Sequence, residues 1–261
     1  MSLLTIQELL DLRGRVALVT GASGGIGRVI AQRLAAAGAS VVVHFNQNAE
    51  PARVTVAEIE DAGGVAIAMQ ADISSEAACT DMFATITDRL GAVDTLVNNA
   101  ADQSVQALDS MSLAQWKAMM STNLDGMFLT TRMVAAGCIA RGTPGAIVNI
   151  VSIEGHSPAG GHGHYATSKA GQLMFTRASA LEYGPHGVRV NSVSPGLIDR
   201  PGLAEDWPPG VARWRAAAPL QRLGQPSDVA DAVLFLVAPA SRWITGADLL
   251  VDGGVSTHPT W

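Results

Sequence analysis

Short runs of apolar and β-branched residues alternate with longer amphipathic segments along the chain. This alternation predicts βαβ units, in which consecutive strands lie parallel and a helix crosses between them. Several runs are apolar at consecutive positions, which is typical of strands that helices cover on both faces. The predicted strands are residues 16–20, 40–45, 65–71, 95–98, 146–152, 188–193 and 248–251. The predicted helices are residues 26–37, 51–62, 75–90, 113–141, 165–183 and 227–237.

Composition excludes several classes of protein. The 261 residues are 48% hydrophobic and 15% charged, which supports a sizeable core and excludes a disordered chain or a coiled coil. The net charge of −6, without any basic block, argues against nucleic-acid and membrane partners. Two cysteines, Cys79 and Cys138, are too few for a disulfide scaffold. The start of the chain lacks the basic region of a signal peptide, so we expect a soluble cytoplasmic protein.

Residues 199–219 interrupt the alternation of strands and helices. This segment contains four prolines and the tryptophans Trp207 and Trp214. It is either a lid over a site or an irregular surface connection, and a loop this long in a compact domain is often functional. We therefore favour a segment that covers the substrate.

The turn after the first predicted strand is rich in glycine, and reads Thr20-Gly21-Ala22-Ser23-Gly24-Gly25-Ile26-Gly27. Glycines let the backbone turn tightly and approach a pyrophosphate, which the amides of the following helix N-terminus can bind. A glycine cluster can also be only a tight turn. Because this one lies between a strand and a helix, we favour nucleotide binding.

The pattern Thr-Gly-x-x-x-Gly-x-Gly at this position resembles the short-chain dehydrogenase/reductase family. Further matches lie in the same order along nearly the whole chain: Asp72, Asn98-Asn99-Ala100, Pro195-Gly196 and Val251-Asp252-Gly253-Gly254. Residues 220–226 resemble a stretch of the bacterial 3-oxoacyl-reductase-like and sugar-dehydrogenase-like members. The resemblance implies one doubly wound Rossmann-fold α/β domain over residues 1–261, with a seven-stranded parallel sheet. It also implies hydride transfer between a nicotinamide cofactor and a ketone or secondary alcohol.

Tyr165 and Lys169 stand one turn apart on a predicted helix. A neighbouring cation is expected to lower the phenol pKa from about 10, so that the phenol can exchange a proton with a substrate oxygen. Ser152 ends a predicted strand thirteen residues before Tyr165, and its hydroxyl can either hold that oxygen or cap a turn. Tyr-x-x-x-Lys by itself is usually an ordinary surface pair. The resemblance makes Ser152, Tyr165 and Lys169 a catalytic set, with Asn123 supporting a water relay to the lysine.

The choice of cofactor depends on the end of the second strand. Phe45 stands where enzymes that prefer NAD usually carry an acid, and the first basic residue beyond it is Arg53. His44, Asn46 and Asn48 could donate hydrogen bonds to a 2′-phosphate, so we favour NADP(H) and leave NAD(H) open. The resemblance implies these cofactor-binding residues: Gly21, Ser23, Gly25, Ile26, Gly27, Phe45, Asn46, Asp72, Ile73, Asn98, Ala100, Tyr165, Lys169, Pro195, Gly196 and Ile198.

Two positions depart from the family pattern. Ala101 replaces a glycine, which is tolerable where the backbone has a negative φ. Arg200 replaces a threonine that contacts the nicotinamide amide. Its side chain could meet an anionic substrate or point to solvent, and we slightly favour solvent.

The loop between Ser152 and Tyr165 is expected to edge the substrate pocket. It carries Glu154, His156 and the run His162-Gly163-His164. We predict that Glu154, His156 and His164 line the pocket and hydrogen-bond a polar substrate such as a sugar or polyol, although they could instead satisfy loop amides. No metal is expected, because these histidines lack a paired cysteine or an acidic cluster.

A 3-oxoacyl thioester is the second candidate substrate. Its acidic carrier protein would need a basic patch, whereas Arg132, Arg141 and Arg177 are scattered. Family members commonly pair the two long helices, here 113–141 and 165–183, across a dimer interface, so a homodimer or homotetramer is expected. Rival functions on the same fold are a non-catalytic NAD(P)-binding sensor or scaffold, and a lyase or isomerase. A sensor or scaffold is disfavoured because such proteins typically lose the tyrosine or the lysine, and both Tyr165 and Lys169 are present.

Overall fold

A computed structural model describes residues 3–257. It contains one seven-stranded sheet in which every neighbouring pair of strands is parallel. Each predicted strand is present, with ends that differ by at most two residues, and the predicted Rossmann-type α/β fold is confirmed. Residues 1–2 and 258–261 of the predicted domain lie outside the described residues. The strands are β1 (Val16–Val19), β2 (Ser40–Phe45), β3 (Val65–Gln70), β4 (Thr95–Asn98), β5 (Gly145–Ile150), β6 (Val188–Pro195) and β7 (Asp248–Val251).

Helices connect the strands and cover both faces of the sheet. Within residues 3–257, no helix is both long and apolar enough to cross a membrane. The α-helices are α1 (Ile6–Leu9), α2 (Gly25–Ala36), α3 (Ala49–Asp61), α4 (Glu76–Leu90), α5 (Leu113–Met120), α6 (Gly126–Arg141), α7 (Gly163–Tyr183), α8 (Leu203–Asp206), α9 (Pro208–Ala217) and α10 (Pro226–Val237).

Two hydrophobic layers explain why the strands are apolar at consecutive positions. Successive side chains of a strand point to opposite faces of the sheet. Val19 of β1 packs in a layer with Ile30 of α2 and Val233 of α10. Leu18, its neighbour in the chain, packs in the opposite layer with Ile86 of α4. Both faces of the sheet are therefore buried.

The predicted helix 113–141 is divided by a wider turn. A π-helical turn over Ser121–Asp125 joins α5 to α6 and contains Asn123. Such a turn places one extra residue in the helix and is frequent at functional sites. The axis of the predicted helix continues, but the direction of the side chains changes at Asn123.

Residues 199–219, where the sequence predicted no helix, contain two short helices, and the expectation that this segment covers the substrate stays a prediction. The helices are α8 and α9, and Pro208 occupies the first position of α9. Proline is favoured at that position because the first amide of a helix needs no partner within it. Leu203 and Val211 of these helices pack with Leu223 in a small separate cluster.

The strand order β3-β2-β1-β4-β5-β6-β7 reverses direction between β1 and β4. All strands are parallel, so their carboxyl ends meet at one edge of the sheet. In open α/β sheets ligands bind at this edge, where the strand order reverses. The loops after β1, β4, β5 and β6 are therefore where a ligand site is expected.

Candidate active site

A cleft of about 980 Å³ opens at the carboxyl edge of the sheet. It extends from the glycine-rich turn after β1 to the first turns of α7 and to the tryptophans of the α8–α9 region. Most of the predicted site residues therefore meet in a single cleft. Those that line it are Gly21, Gly25, Ile26, Gly27, Asn46, Asp72, Ile73, Ala100, Ser152, Glu154, Tyr165, Lys169, Pro195, Gly196 and Ile198.

The glycine-rich turn has no room for side chains at two positions. Gly21 has a φ of +63°, and a Cβ there would lie 2.9 Å from Cα of Ala100. A Cβ on Gly27 would lie 2.5 Å from Nδ2 of Asn99 and closer still to the carbonyl oxygen of Gly21. Asn99 in turn donates from Nδ2 to the carbonyl oxygens of Thr20 and Gly21, each at 3.0 Å. The turns after β1 and β4 are thus locked together.

The glycine-rich turn, residues 21–27, forms a cradle lined by backbone. The N-terminus of α2 opens directly into this cradle. The helix begins at Gly25, and among the described residues no side chain caps it. A Cβ on Gly24 or Gly25 would meet nothing within 4 Å among the described atoms. Free first-turn amides and the partial positive charge of the helix end suit an anionic ligand. The pyrophosphate of a nicotinamide dinucleotide fits this chemistry.

The end of β2 is held by His44 rather than by Phe45. The His44 Nδ1 accepts a hydrogen bond from the Gly21 amide at 3.2 Å, and Nε2 donates to the Ala71 carbonyl oxygen at 3.0 Å. Burial lowers the pKa of His44, which agrees with a neutral ring in this arrangement. His44 and Asn46 line the cleft. Phe45 packs in the hydrophobic core instead, which corrects its assignment as a cofactor contact.

Ser23 and Asn98 also lie outside the residues that line the cleft. Asn98 is buried, and its Nδ2 donates to Oδ1 of Asn149 at 2.8 Å and to the hydroxyl of Thr131 at 2.9 Å. Its predicted contact with the cofactor is therefore replaced by a structural role between β4, β5 and α6. Ala101 lines the cleft. Among residues 3–257 the only non-glycine with a positive φ is Gln221, so the methyl of Ala101 is accommodated without strain.

Tyr165 and Lys169 lie together at the base of the cleft. Nζ of Lys169 is 5.5 Å from the centre of the Tyr165 ring. Nζ donates to the Ile150 carbonyl oxygen at 2.8 Å and to Oε1 of Gln172 at 3.0 Å. Burial lowers the pKa of Lys169 to about 7. The cation is therefore held by oxygens at the end of β5 and on α7 itself.

The phenol of Tyr165 does not have the lowered pKa that the sequence predicted. Burial raises the pKa of Tyr165 to about 12, against the opposing effect of a hydrogen bond with Ser152. Burial also lowers the pKa of Lys169, so the charge that was expected to lower the phenol pKa is itself destabilised. Ser152 also accepts a hydrogen bond from the Glu154 amide at 3.1 Å. The hydroxyls of Ser152 and Tyr165 are adjacent at the wall of the cleft.

Asn123 is fully buried and lies behind the cleft rather than in it. Its side chain accepts from the Asp102 amide at 2.8 Å and donates to the Ser168 hydroxyl at 3.0 Å. Its main-chain carbonyl oxygen accepts from Nε2 of Gln172 at 2.6 Å. The π-helical turn therefore connects the loop after β4 with α7. Sequence reasoning missed Gln172, although its position three residues after Lys169 places it on the same side of the helix.

Glu154 is paired with a histidine that the prediction did not select. Nδ1 of His162 lies 2.8 Å from Oε2 of Glu154, and the His162 ring meets the Tyr165 ring edge-on with centroids 5.8 Å apart. Both Glu154 and His162 line the cleft. Within residues 3–257 no group of three or more His, Cys, Asp or Glu side chains could hold a metal ion.

His156 and His164 were predicted to line the pocket, and both predictions were wrong. His156 lies 2.8 Å from Asp248 of β7 on the outside of the loop. His164 is 1% exposed and does not line the cleft. It precedes Tyr165 on α7, and adjacent helical residues point about 100° apart; while Tyr165 faces the cleft, the His164 ring is buried away from it.

The far wall of the cleft comes from the α8–α9 segment. Trp207 and Trp214 line it together with Arg200. The Arg200 guanidinium pairs with Asp206 at 2.8 Å, and both side chains are more than half exposed. The charge of Arg200 is therefore already matched by a carboxylate at the rim of the cleft.

Known proteins are similar to this chain over almost its whole length. Residues 21–256 match the family model described as enoyl-(acyl carrier protein) reductase. A 3beta-hydroxysteroid dehydrogenase 1 of Eggerthella lenta is 37% identical over 95% of this chain and 96% of that protein. A 3-oxoacyl-[acyl-carrier-protein] reductase of Synechocystis sp. is 39% identical over 94% of this chain and 98% of that protein. The crystal structure of a gluconate 5-dehydrogenase from Burkholderia cenocepacia, in complex with NADP and tartrate, has a TM-score of 0.91 and 31% identity, covering 98% of this chain and 100% of that one.

Proposed function

The chain belongs to the short-chain dehydrogenase/reductase family, and on that premise we propose that Tyr165 is its acid–base and that Ser152 and Lys169 assist it. Like its relatives, the protein is an oxidoreductase that transfers a hydride between a nicotinamide cofactor and a ketone or secondary alcohol. The observation that carries the residue assignment is the meeting of these three side chains in the same cleft as the glycine cradle.

The side chains act on the oxygen of the substrate. The bound cofactor supplies or accepts the hydride at carbon. In reduction, Ser152 and Tyr165 donate hydrogen bonds to the carbonyl oxygen, and Tyr165 then gives it a proton. A buried phenol with a pKa of about 12 is fully protonated at neutral pH, which suits this role. The ammonium of Lys169 stabilises the phenolate that remains, and alcohol oxidation runs the same proton transfer in reverse.

NADP(H) is the proposed cofactor, with a modest preference over NAD(H). Asn46 lines the cleft at the end of β2, where its amide can donate to a 2′-phosphate, and neither Phe45 nor Asn46 carries the acid that enzymes preferring NAD usually have there. The nearby arginines are paired: Arg28 binds Glu58, with Nε 2.8 Å from Oε2, and Arg53 lies 3.6 Å from Glu50. Because each of these guanidinium groups is already paired with a carboxylate, the preference for NADP(H) over NAD(H) should be small.

A sugar or polyol is the proposed substrate class, and α8 and α9 form the segment that covers it. The Glu154–His162 pair offers both a hydrogen-bond acceptor and a donor beside Tyr165. Trp207 and Trp214 supply aromatic surface on the opposite wall. Such surfaces can bind the apolar faces of a hydroxylated ring. A 3-oxoacyl thioester is the second candidate, because a 3-oxoacyl-[acyl-carrier-protein] reductase is 39% identical.

A cytoplasmic homodimer or homotetramer is the proposed assembly. Phe128 of α6 and Met174 and Leu181 of α7 are exposed. Apolar side chains on neighbouring helices are typical of an interface between subunits. Light scattering is expected to give at least twice the mass of the chain, and a monomer at micromolar concentration would contradict this assembly.

The experiment that tests the function is a screen of ketones, sugars, polyols and one 3-oxoacyl thioester with NADPH and NADH. Change in absorbance of the reduced cofactor is followed, and the product is identified by mass spectrometry. The expected result is stoichiometric conversion of cofactor and a hydroxylated substrate, with NADP(H) somewhat better than NAD(H). A clear preference for the thioester would replace the substrate proposal. Product formation without net change of cofactor would indicate a lyase or isomerase instead.

A further inference from the structure

Gln172 lies between the two groups that the family resemblance connects by a relay, Lys169 and Asn123. The side chain is 2% exposed. Its Oε1 accepts from Nζ of Lys169 at 3.0 Å, and its Nε2 donates to the main-chain carbonyl oxygen of Asn123 at 2.6 Å. A single amide therefore links the buried ammonium to the π-helical turn.

The orientation of this amide is determined by its partners. The carbonyl of Asn123 can only accept a hydrogen bond, so the NH2 group of Gln172 must face it. Oε1 is then directed at Lys169. The Thr176 hydroxyl contacts the main chain at this position and not the side-chain amide, donating to the Gln172 carbonyl oxygen at 2.8 Å. Asn149 of β5 donates in turn to Thr176 at 2.9 Å.

The ammonium depends on few oxygens for its stability. Of its three N–H groups, one is bound by the Ile150 carbonyl oxygen and one by Gln172. The titratable group beside it on its own helix is Tyr165, and the loop after β5 contributes Glu154, which is paired with His162. The other charged residues that line the same cleft are Asp72, Asp199 and Arg200. Lys169 is not ion-paired with any of these carboxylates in the described structure.

We propose that Gln172 is a positioning residue that keeps Lys169 charged and in place at neutral pH. Its neutral oxygen supplies one of the two hydrogen bonds that the buried cation makes in the described structure. An amide does not gain or lose a proton near neutral pH, so this link holds the ammonium and does not carry the transferred proton. The inference rests on the proposed roles of Tyr165 and Lys169.

The test uses the scarcity of lysine in this chain. Only Lys117 and Lys169 occur, and Lys117 is exposed, so protein labelled with 13C at lysine Cε gives two signals that Lys117→Arg assigns. In Gln172→Met the Lys169 titration midpoint should fall by about one pH unit, since a hydrogen bond to a charge is lost. The Lys117 signal should not move.

Catalysis supplies a second readout. Reduction requires the charged lysine, so the alkaline limb of the kcat/KM profile in Gln172→Met should move to lower pH by the same amount. The matched control is Thr176→Val, which removes a buried hydroxyl one turn further along α7. It should lower Tm and shift neither the Lys169 midpoint nor the alkaline limb.

The outcomes separate this proposal from the proposed function. An unchanged Lys169 midpoint in Gln172→Met overturns the proposal. A shifted midpoint with an unchanged alkaline limb also overturns it, because the ammonium would then not depend on Gln172 for its part in catalysis. If Gln172→Met does not fold, Gln172→Glu should raise the midpoint, and no rise would overturn the proposal. Full activity of Tyr165→Phe would instead refute the proposed function, while the titration result would stand.

Discussion

The two halves of the cleft use opposite means to build one site. After β1, the cradle consists of backbone that packs too closely to admit a side chain, as at Gly21 and Gly27. Between β5 and α7, the site is made from buried polar side chains, as at Tyr165 and Lys169. An added atom should therefore damage the first half, whereas a lost polar atom should damage the second. Substitutions in the two halves test this difference.

The largest effect is expected from removing one oxygen in the second half. Tyr165→Phe deletes the proposed proton donor, and we expect kcat to fall about 10³-fold, within the usual range for general acid–base catalysis. The matched control is Tyr183→Phe, which changes the only other tyrosine, at the end of the same helix, and should retain activity. Steady-state kinetics with the best substrate measure both variants. Substantial turnover by Tyr165→Phe would remove Tyr165 from the mechanism.

The next effect is a pH dependence of stability caused by Lys169. Its pKa is about 7 in the fold against an ordinary 10.5, so the unfolded chain binds more protons between these values. The cost of burying the charge is complete below pH 7 and disappears as pH rises towards 10.5. That difference of pKa corresponds to about 5 kcal/mol at most, and relaxation around the charge should reduce it to about 3 kcal/mol.

Lys169→Met should therefore gain stability relative to the parent at pH 6 and lose that advantage by pH 10. Urea unfolding at a series of pH values measures the difference in free energy of unfolding. Lys117→Met is the control, since Lys117 is the other lysine of the chain and is exposed. A difference between Lys169→Met and the parent that stays constant from pH 6 to 10 would show that Lys169 is not strongly desolvated.

In the first half, an added methyl should weaken cofactor binding. Gly27→Ala places a Cβ against Nδ2 of Asn99 and the backbone of Gly21, and overpacking of this kind costs about 1–3 kcal/mol. We expect the Kd for NADPH to rise about tenfold or more and Tm to fall. In Gly24→Ala, where φ is −171° and the space is open, Tm should be unchanged. Equal Tm values for the two variants would contradict the description of the cradle.

The smallest effect concerns the choice between cofactors. Asn46→Asp adds a carboxylate at the end of β2, which should repel a 2′-phosphate and lower the preference for NADPH over NADH about fivefold. Asn48→Asp is the control: Asn48, the other asparagine predicted as a possible donor, is exposed and does not line the cleft, so the ratio should change less. Fluorescence titration with both reduced cofactors gives the two ratios. An increased preference for NADPH in Asn46→Asp would contradict the proposed contact.

The sequence predicted the sheet well because its strands are buried on both faces. β2, for example, needs apolar residues at nearly every position, and its bounds agree with the prediction. The glycine-rich turn was also predictable, because positions such as Gly21 and Gly27 have no room for a side chain and therefore require glycine. Helices α8 and α9 were not predicted, because the prolines of residues 199–219 interrupt the helical pattern, although Pro208 begins α9.

The side-chain half of the site was harder to predict in detail. His162 rather than His164 lines the cleft. The sequence could not distinguish them, because the outcome depends on the direction in which the chain enters α7. Gln172 donates to the main-chain carbonyl oxygen of Asn123, which lies in the π-helical turn. The periodicity of residues 113–141 does not reveal that turn. The pKa of Tyr165 depends on how deeply the phenol is buried, and no sequence motif states that depth.

The central claim is that cofactor binding and proton transfer are carried by separate halves of one cleft. The dissociation constant of NADPH for Tyr165→Phe tests it most directly, measured by fluorescence titration beside the parent protein. We predict a Kd within about tenfold of the parent value, because at most one hydrogen bond of about 0.5–1.5 kcal/mol should be lost. A Kd weakened a hundredfold, together with turnover close to that of the parent, would contradict the account.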